Sequence, residues 1–229
     1  VLGNISMTKL RSDSYVGPMI DERLVHSDFV DGFIAGREAA VPLIVGSTGA
    51  ELSHLPFLAR YGLRQWAKKE QGDALEAVRN SYGSSDAFDD HIVNDWGFAE
   101  PARIMASRHA ARGFPTWLYS FDYVSEANRS ELGGAPHASD VTFVFGTLGR
   151  EGIGPTDADW QMSRFVRSYW LAFARAGTPS PDGLSAWPRY DTAHDHLLRF
   201  NATGPAIGTV TRGNALDAIS RAMAKRRHP

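Results

Sequence analysis

Apolar positions along the chain fall into blocks whose period changes from helix-like to strand-like and back. From Leu24 to Ala40 the residues Leu24, Val25, Phe29, Val30, Phe33 and Ile34 recur at helical spacing from Asp28 onward, and Gly36 marks a stop. Val41-Pro42-Leu43-Ile44-Val45 is a short run rich in β-branched side chains and ended by Gly46, the signature of a strand buried on both faces. A second helix is expected to start near Ala50, and 63–90 reads as helical pieces broken by Gly72 and Gly83. Residues 100–112 form an amphipathic helix with Pro101 in its first turn and Gly113 just past its end. Pro115 to Tyr123 is β-branched and aromatic, and reads as a strand. Residues 1–17 and 125–140 carry no period and read as loop.

The clearest helix covers 157–176. Thr156 with Asp159 three positions on makes a capping-box-like start, and Met162, Phe165, Val166, Tyr169, Trp170 and Phe173 form one buried stripe. Gly177 and Pro179 close it. Leu197-Leu198-Arg199-Phe200 is a late strand, and 213–226 a final helix whose basic end, Lys225 to His228, suits the helix dipole as a solvated terminus. Helices alternating with strands imply an α/β chain: a mostly parallel sheet flanked by helices. About three strands are few for 229 residues, so the sheet reads as half of a larger one.

Composition narrows the function classes. The chain is 43% hydrophobic and 22% charged, with a net charge of −2, which is globular and gives no electrostatic reason to expect nucleic acid as a partner. Cysteine is absent, which removes disulfides, thiolate metal sites and cysteine nucleophiles. No apolar run approaches the ~18 residues of a membrane span. The compartment is not encoded in any feature of these residues.

Several segments, in order, resemble the type-B carboxylesterases, the cholinesterase-like group of α/β-hydrolases. Pro18-Met19-Ile20-Asp21 resembles the family's Pro-x-x-Asp. Val41 to Gly46 followed by Glu51 resembles its strand and acid loop, VPxxxG-x-x-x-x-E. Gly134 to Asp140, then Phe143-Val144-Phe145-Gly146, resembles its histidine loop, GxxHxxDxxxxFG. Trp170 to Pro179 is similar to W-x-N-F-A-x-x-G-x-P, and Trp187-Pro188-Arg189-Tyr190 to WPxY. Leu52 stands where the family has Gly after the acid, and Ala138 where Gly is common after the histidine.

The resemblance implies the C-terminal half of an α/β-hydrolase fold, with 1–229 as the C-terminal portion of one catalytic domain. It further implies a serine ester hydrolase in which Glu51 orients His137 as general base, in the chain order Ser, acid, His. The nucleophile elbow Gly-x-Ser-x-Gly and a His-Gly-Gly-Gly oxyanion segment are both missing. The serine is therefore expected on an N-terminal half of the same enzyme, and this chain alone is expected to be inactive. The substrate is a small-molecule ester, and no cofactor or metal is needed. The alternative is a non-catalytic, cholinesterase-like binding or adhesion module.

Simpler readings stand beside these. Glu51 also suits a helix first turn. His54, one turn later, is a distractor expected at a pocket or surface, and Trp96, Phe98 and Phe121 are expected in the core. Phe57 and Phe143 are the candidate substrate contacts, because they lie beside the two triad loops. His194 and His196 alternate as metal ligands can, with no third ligand expected nearby.

Overall fold

The computed structural model describes residues 20–149 and 154–227. The expected loop 1–17 and residue His228 lie outside these. Among the described residues four strands form one sheet in the order β1 (Leu43–Thr48), β2 (Thr116–Phe121), β3 (His196–Asn201), β4 (Gly204–Thr209). β1, β2 and β3 run parallel, with Leu43 opposite Thr116 and Tyr119 opposite Leu198; β4 returns antiparallel, with His196 opposite Thr209.

The helices are α1 (Phe29–Ile34), α2 (Phe57–Glu70), α3 (Leu75–Asn80), α4 (Ser85–Asn94), α5 (Glu100–Ala111), α6 (Ser139–Phe145), α7 (Asp157–Ala176) and α8 (Gly213–Arg227). A π-helical turn, Asp95–Ala99, joins α4 to α5.

Alternation along β2 sets the layers. Trp117 and Phe121, with Leu198 and Phe200 of β3, pack against Met162, Val166 and Tyr169 of α7 and Phe143 of α6. Leu118 and Leu197 face the other way, onto Ala102 and Ala106 of α5. Period-two side chains thus bury both faces, as a parallel sheet requires. A separate cluster, Ala67, Val78, Phe88, Ile92, Leu216 and Ile219, binds α2, α3, α4 and α8 together. Trp117 Nε1 donates to Trp187 O at 3.2 Å and Trp187 Nε1 donates to Leu118 O at 3.1 Å, which pins the Trp187-Pro188 segment along β2.

Several boundaries differ from expectation. β1 starts at Leu43 rather than Val41 and runs through Gly46 to Thr48. Gly46 fits there because a Cβ would lie 2.3 Å from Tyr119 O. The first helix is only six residues, with Asp28 as its N-cap. Residues 51–55 are turns, and the second helix begins at Phe57. Residues 139–145, placed partly in a loop, are helical, and β4 adds a fourth strand. The long helix matches expectation, including the reciprocal Thr156–Asp159 capping box.

Candidate active site

The site sits where the chain leaves β1 and where it turns into α6. Glu51 follows β1 by three residues, and its position is over-determined. Its Oε1 accepts from Thr48 N at 2.7 Å, and its own N–H donates to Asn94 Oδ1, at the end of α4, at 2.9 Å. Ala50 N donates to Ala135 O at 3.0 Å and His137 N to Glu51 O at 2.8 Å, so the acid loop and the histidine loop are stitched backbone to backbone. Gly134 permits that approach, since a Cβ there would lie 2.6 Å from Ala50 Cβ.

Within this frame Glu51 Oε2 lies 2.6 Å from His137 Nδ1. Glu51 is 3% exposed, whereas the His137 side chain is 59% exposed. A buried, fully bonded carboxylate holds one nitrogen of an open ring. Among the described residues nothing bonds to the opposite nitrogen, Nε2. Such a ring can accept a proton from a hydroxyl and return it to a leaving group.

Asp140, the other acid near His137, accepts from Tyr119 OH, on β2, at 2.9 Å. Burial, together with the negative Asp140 beside it, raises the Tyr119 phenol above its ordinary range and keeps it a hydrogen-bond donor. Asp140 thereby anchors the first turn of α6 to the sheet. Ala138, between His137 and α6, takes a left-handed φ of 60°, the conformation that Gly adopts without steric cost.

His137 opens onto a cleft of about 960 Å³ lined by Leu52, Leu63, Trp66, Trp96, Phe98 and Met105, among others. Phe98 touches the imidazole directly, ring centroids 5.6 Å apart. Trp96 and Phe98, expected in the core, are half-buried walls of this cleft, and Trp96 also packs against the cluster that joins α2, α3, α4 and α8. The reason is the π-helical turn, which shifts the side-chain period between α4 and α5. Asp95 fixes that turn, receiving Arg212 Nε and Nη2 at 2.8 and 2.7 Å and Tyr82 OH at 3.0 Å.

A second cavity, about 550 Å³, lies on the other side of His137, lined by Tyr123, Leu132, Ala138 and Phe143. Phe143 is a wall of this cavity but 4% exposed, packed on Phe121 and Tyr123. Phe57 opens α2 and is 69% exposed; it lines neither cavity. His54 is exposed, as a surface residue would be. Arg226, expected in a solvated helix end, reaches back to the Glu70 carbonyl at 2.9 Å and to the Glu70 carboxylate. His194 and His196 do have a third neighbour, contrary to expectation: Asp191, its carboxylate within 4.8 Å of both rings' ligand atoms. Asp191 was overlooked because a turn, not a regular element, folds it back onto His194. Among the described residues no helix is long and apolar enough to cross a membrane.

A family model described as "Carboxylesterase family" matches residues 63–218. That span includes His137 and leaves out Glu51, so the tie between them comes from geometry. Among curated proteins, mouse carboxylesterase 1F is 34% identical over 109 residues, covering 46% of this chain and 19% of that protein. Human carboxylesterase 5A is 33% identical over 114 residues, covering 46% and 20%. The fumonisin B1 esterase of Sphingopyxis macrogoltabida is 23% identical over 210 residues, 84% of this chain and 38% of that protein. A solved PNB esterase superposes with a TM-score of 0.70 at 23% identity, covering 88% of this chain and 43% of its own. Aspergillus niger EstA gives 0.69 at 20%, covering 92% and 44%. At those identities the structures establish the α/β-hydrolase fold. The chain spans less than half the length of these relatives.

Proposed function

The chain belongs to the carboxylesterase family, and from that premise we propose that it supplies the acid and the base of a serine ester hydrolase. The observation that carries this reading is the 2.6 Å contact from buried Glu51 to the Nδ1 side of an exposed His137. Glu51 fixes the ring's orientation and stabilises the imidazolium that forms. His137 Nε2 takes the proton of a serine hydroxyl as its oxygen attacks the ester carbonyl, then delivers that proton to the departing alcohol. Water attacks the resulting acyl-serine by the same proton path, releasing the carboxylic acid and regenerating the hydroxyl.

The serine and the oxyanion donors come from polypeptide that these 229 residues do not include. In this reading 1–229 is the C-terminal portion of one catalytic domain. The sheet supports it: β1 is an edge strand, parallel to β2, and among the described residues nothing pairs with its outer side. A parallel strand with a bare edge is the natural place for further strands. The apolar cleft beside His137 fits the acyl or alcohol part of a hydrophobic ester, with Trp96 and Phe98 as contacts. Phe143 would serve from the second cavity.

The test is hydrolysis of a short p-nitrophenyl ester by the complete protein. Turnover should fall by roughly three or more orders of magnitude in His137→Ala while folding is retained. Near-normal turnover in that variant would show that another group is the base.

A further inference from the structure

A second cluster of ionisable side chains lies in the turn that leads into β3. The chain passes from Tyr190 through Asp191 to His196, the first residue of the strand. Asp191 Oδ1 accepts from Ala193 N and His194 N, both at 2.9 Å, and Asp195 N donates to Asp191 O at 3.0 Å, so the turn is closed upon itself. Asp195 takes a left-handed φ of 48° and is held by Arg103 Nη1 at 2.8 Å. This brings the rings of His194 and His196 into a parallel stack, centroids 5.2 Å apart and planes 5° apart.

One buried atom in this arrangement lacks a partner. His196 Nδ1 is buried and makes no hydrogen bond. Asp191 Oδ2 likewise has none among the described residues, because every bond to this carboxylate goes to Oδ1. A buried ring nitrogen without a partner is uncommon, since its desolvation goes uncompensated.

We propose that Asp191, His194 and His196 form a binding site for a divalent transition cation of the zinc class. Two imidazoles and one carboxylate are a donor set that suits Zn²⁺, Co²⁺, Ni²⁺ or Cu²⁺ and does not suit Ca²⁺ or Mg²⁺, which take mainly oxygen ligands. The ligand atoms already lie within 4.8 Å of one another. Around a tetrahedral ion with bonds of about 2.1 Å they would close to about 3.4 Å. An ion shared by both imidazoles must lie near the plane of each, so the stack has to open. His194 is exposed and can turn; doing so releases its 2.8 Å contact with Asp191 Oδ1 and frees the ring nitrogen for the ion. The site is separate from the Glu51–His137 pair and from the cleft.

Cobalt is the informative probe, because its visible bands report coordination geometry. Titrating Co²⁺ into the complete protein should give saturable, one-to-one binding with the strong visible absorption of a four-coordinate nitrogen and oxygen site. His194→Ala and His196→Ala should each weaken binding by more than about tenfold, and Asp191→Asn by about tenfold. His54→Ala, removing an exposed histidine elsewhere, should leave it unchanged. Zn²⁺ should compete for the same site and raise the melting temperature of the parent but not of the His194→Ala/His196→Ala double variant. Two results would overturn the proposal: no saturable binding by the parent, or undiminished binding by the double variant.

Discussion

His109 and His137 each set Nδ1 against a carboxylate, at 3.2 Å from Glu38 Oε1 and 2.6 Å from Glu51 Oε2. Both nitrogens of His109 are engaged. Its Nε2 lies 2.8 Å from Val41 O, Glu38 also takes Arg112 Nη1 at 2.7 Å, and Phe33 and Phe114 close over the ring. The ring is 1% exposed. His137 keeps the carboxylate and loses the rest: the second nitrogen is open and the ring faces two cavities. One pair therefore ties α5 to the entry of β1, and the other leaves its second nitrogen open, as the proposed proton transfer requires. A carboxylate–histidine contact is thus no mark of a catalytic pair; what separates the two is the environment of the other nitrogen.

The contrast can be attacked from both sides. The largest effect should come from Glu51→Gln in the complete protein. The amide keeps the shape but not the charge, so turnover should fall by roughly 10³–10⁴-fold with little change in melting temperature. Retained turnover would detach Glu51 from the proposed triad. His109→Ala should do the reverse. It leaves a cavity and an unpaired carbonyl, costing about 2–3 kcal/mol of stability in urea unfolding, with turnover per folded molecule unchanged.

Glu38 sharpens the structural side. Burial opposes its charge, but its own backbone amide, His109 and Arg112 outweigh this and hold its carboxyl below the ordinary range. A carboxyl depressed by folding contributes stability that is complete above the unfolded value of about 4.3 and is lost as pH falls through the folded value. The melting temperature of the parent should therefore decline on acidification more steeply than that of Glu38→Gln, and equal slopes would remove Glu38 from the acid transition. The smallest effect belongs to the His137 side. Ala138→Gly relieves a left-handed backbone next to His137 and should raise stability by up to about 1 kcal/mol, read as a higher urea midpoint at constant slope.

What could be read in advance follows from how local each signal is. α7 was legible because its cap, stripe and terminal glycine lie within one stretch of chain. β4 was not: Gly204, Pro205 and Gly208 carry little strand propensity, and pairing with β3 alone makes that segment extended. α6 was hidden in a loop because its helical register starts from the left-handed Ala138, which no periodicity announces. Glu51 and His137 could be paired beforehand only through family resemblance, since no periodicity links positions 86 residues apart. Phe98 was expected in the core only because large aromatics usually are; the π-helical turn instead sets it against His137 in the cleft. The Asp191 turn lacked any regular pattern to draw attention to it.

The parallel pairing of β1, β2 and β3 also has a consequence in time. Leu43 meets Thr116 and Tyr119 meets Leu198, contacts that close loops of more than seventy residues, whereas β3 and β4 meet across a tight hairpin. Closing long loops costs entropy before any contact repays it, so topologies of this kind fold slowly. The hairpin and the long helix can form early. Because the stitching between Ala50 and Ala135 depends on β1 and β2 lying side by side, the carboxylate cannot reach its imidazole until the central strands have docked. In pulsed hydrogen exchange during refolding, the amide of His137 should gain protection only after those of the β3–β4 hairpin: the carboxylate–imidazole contact is among the last features the chain acquires.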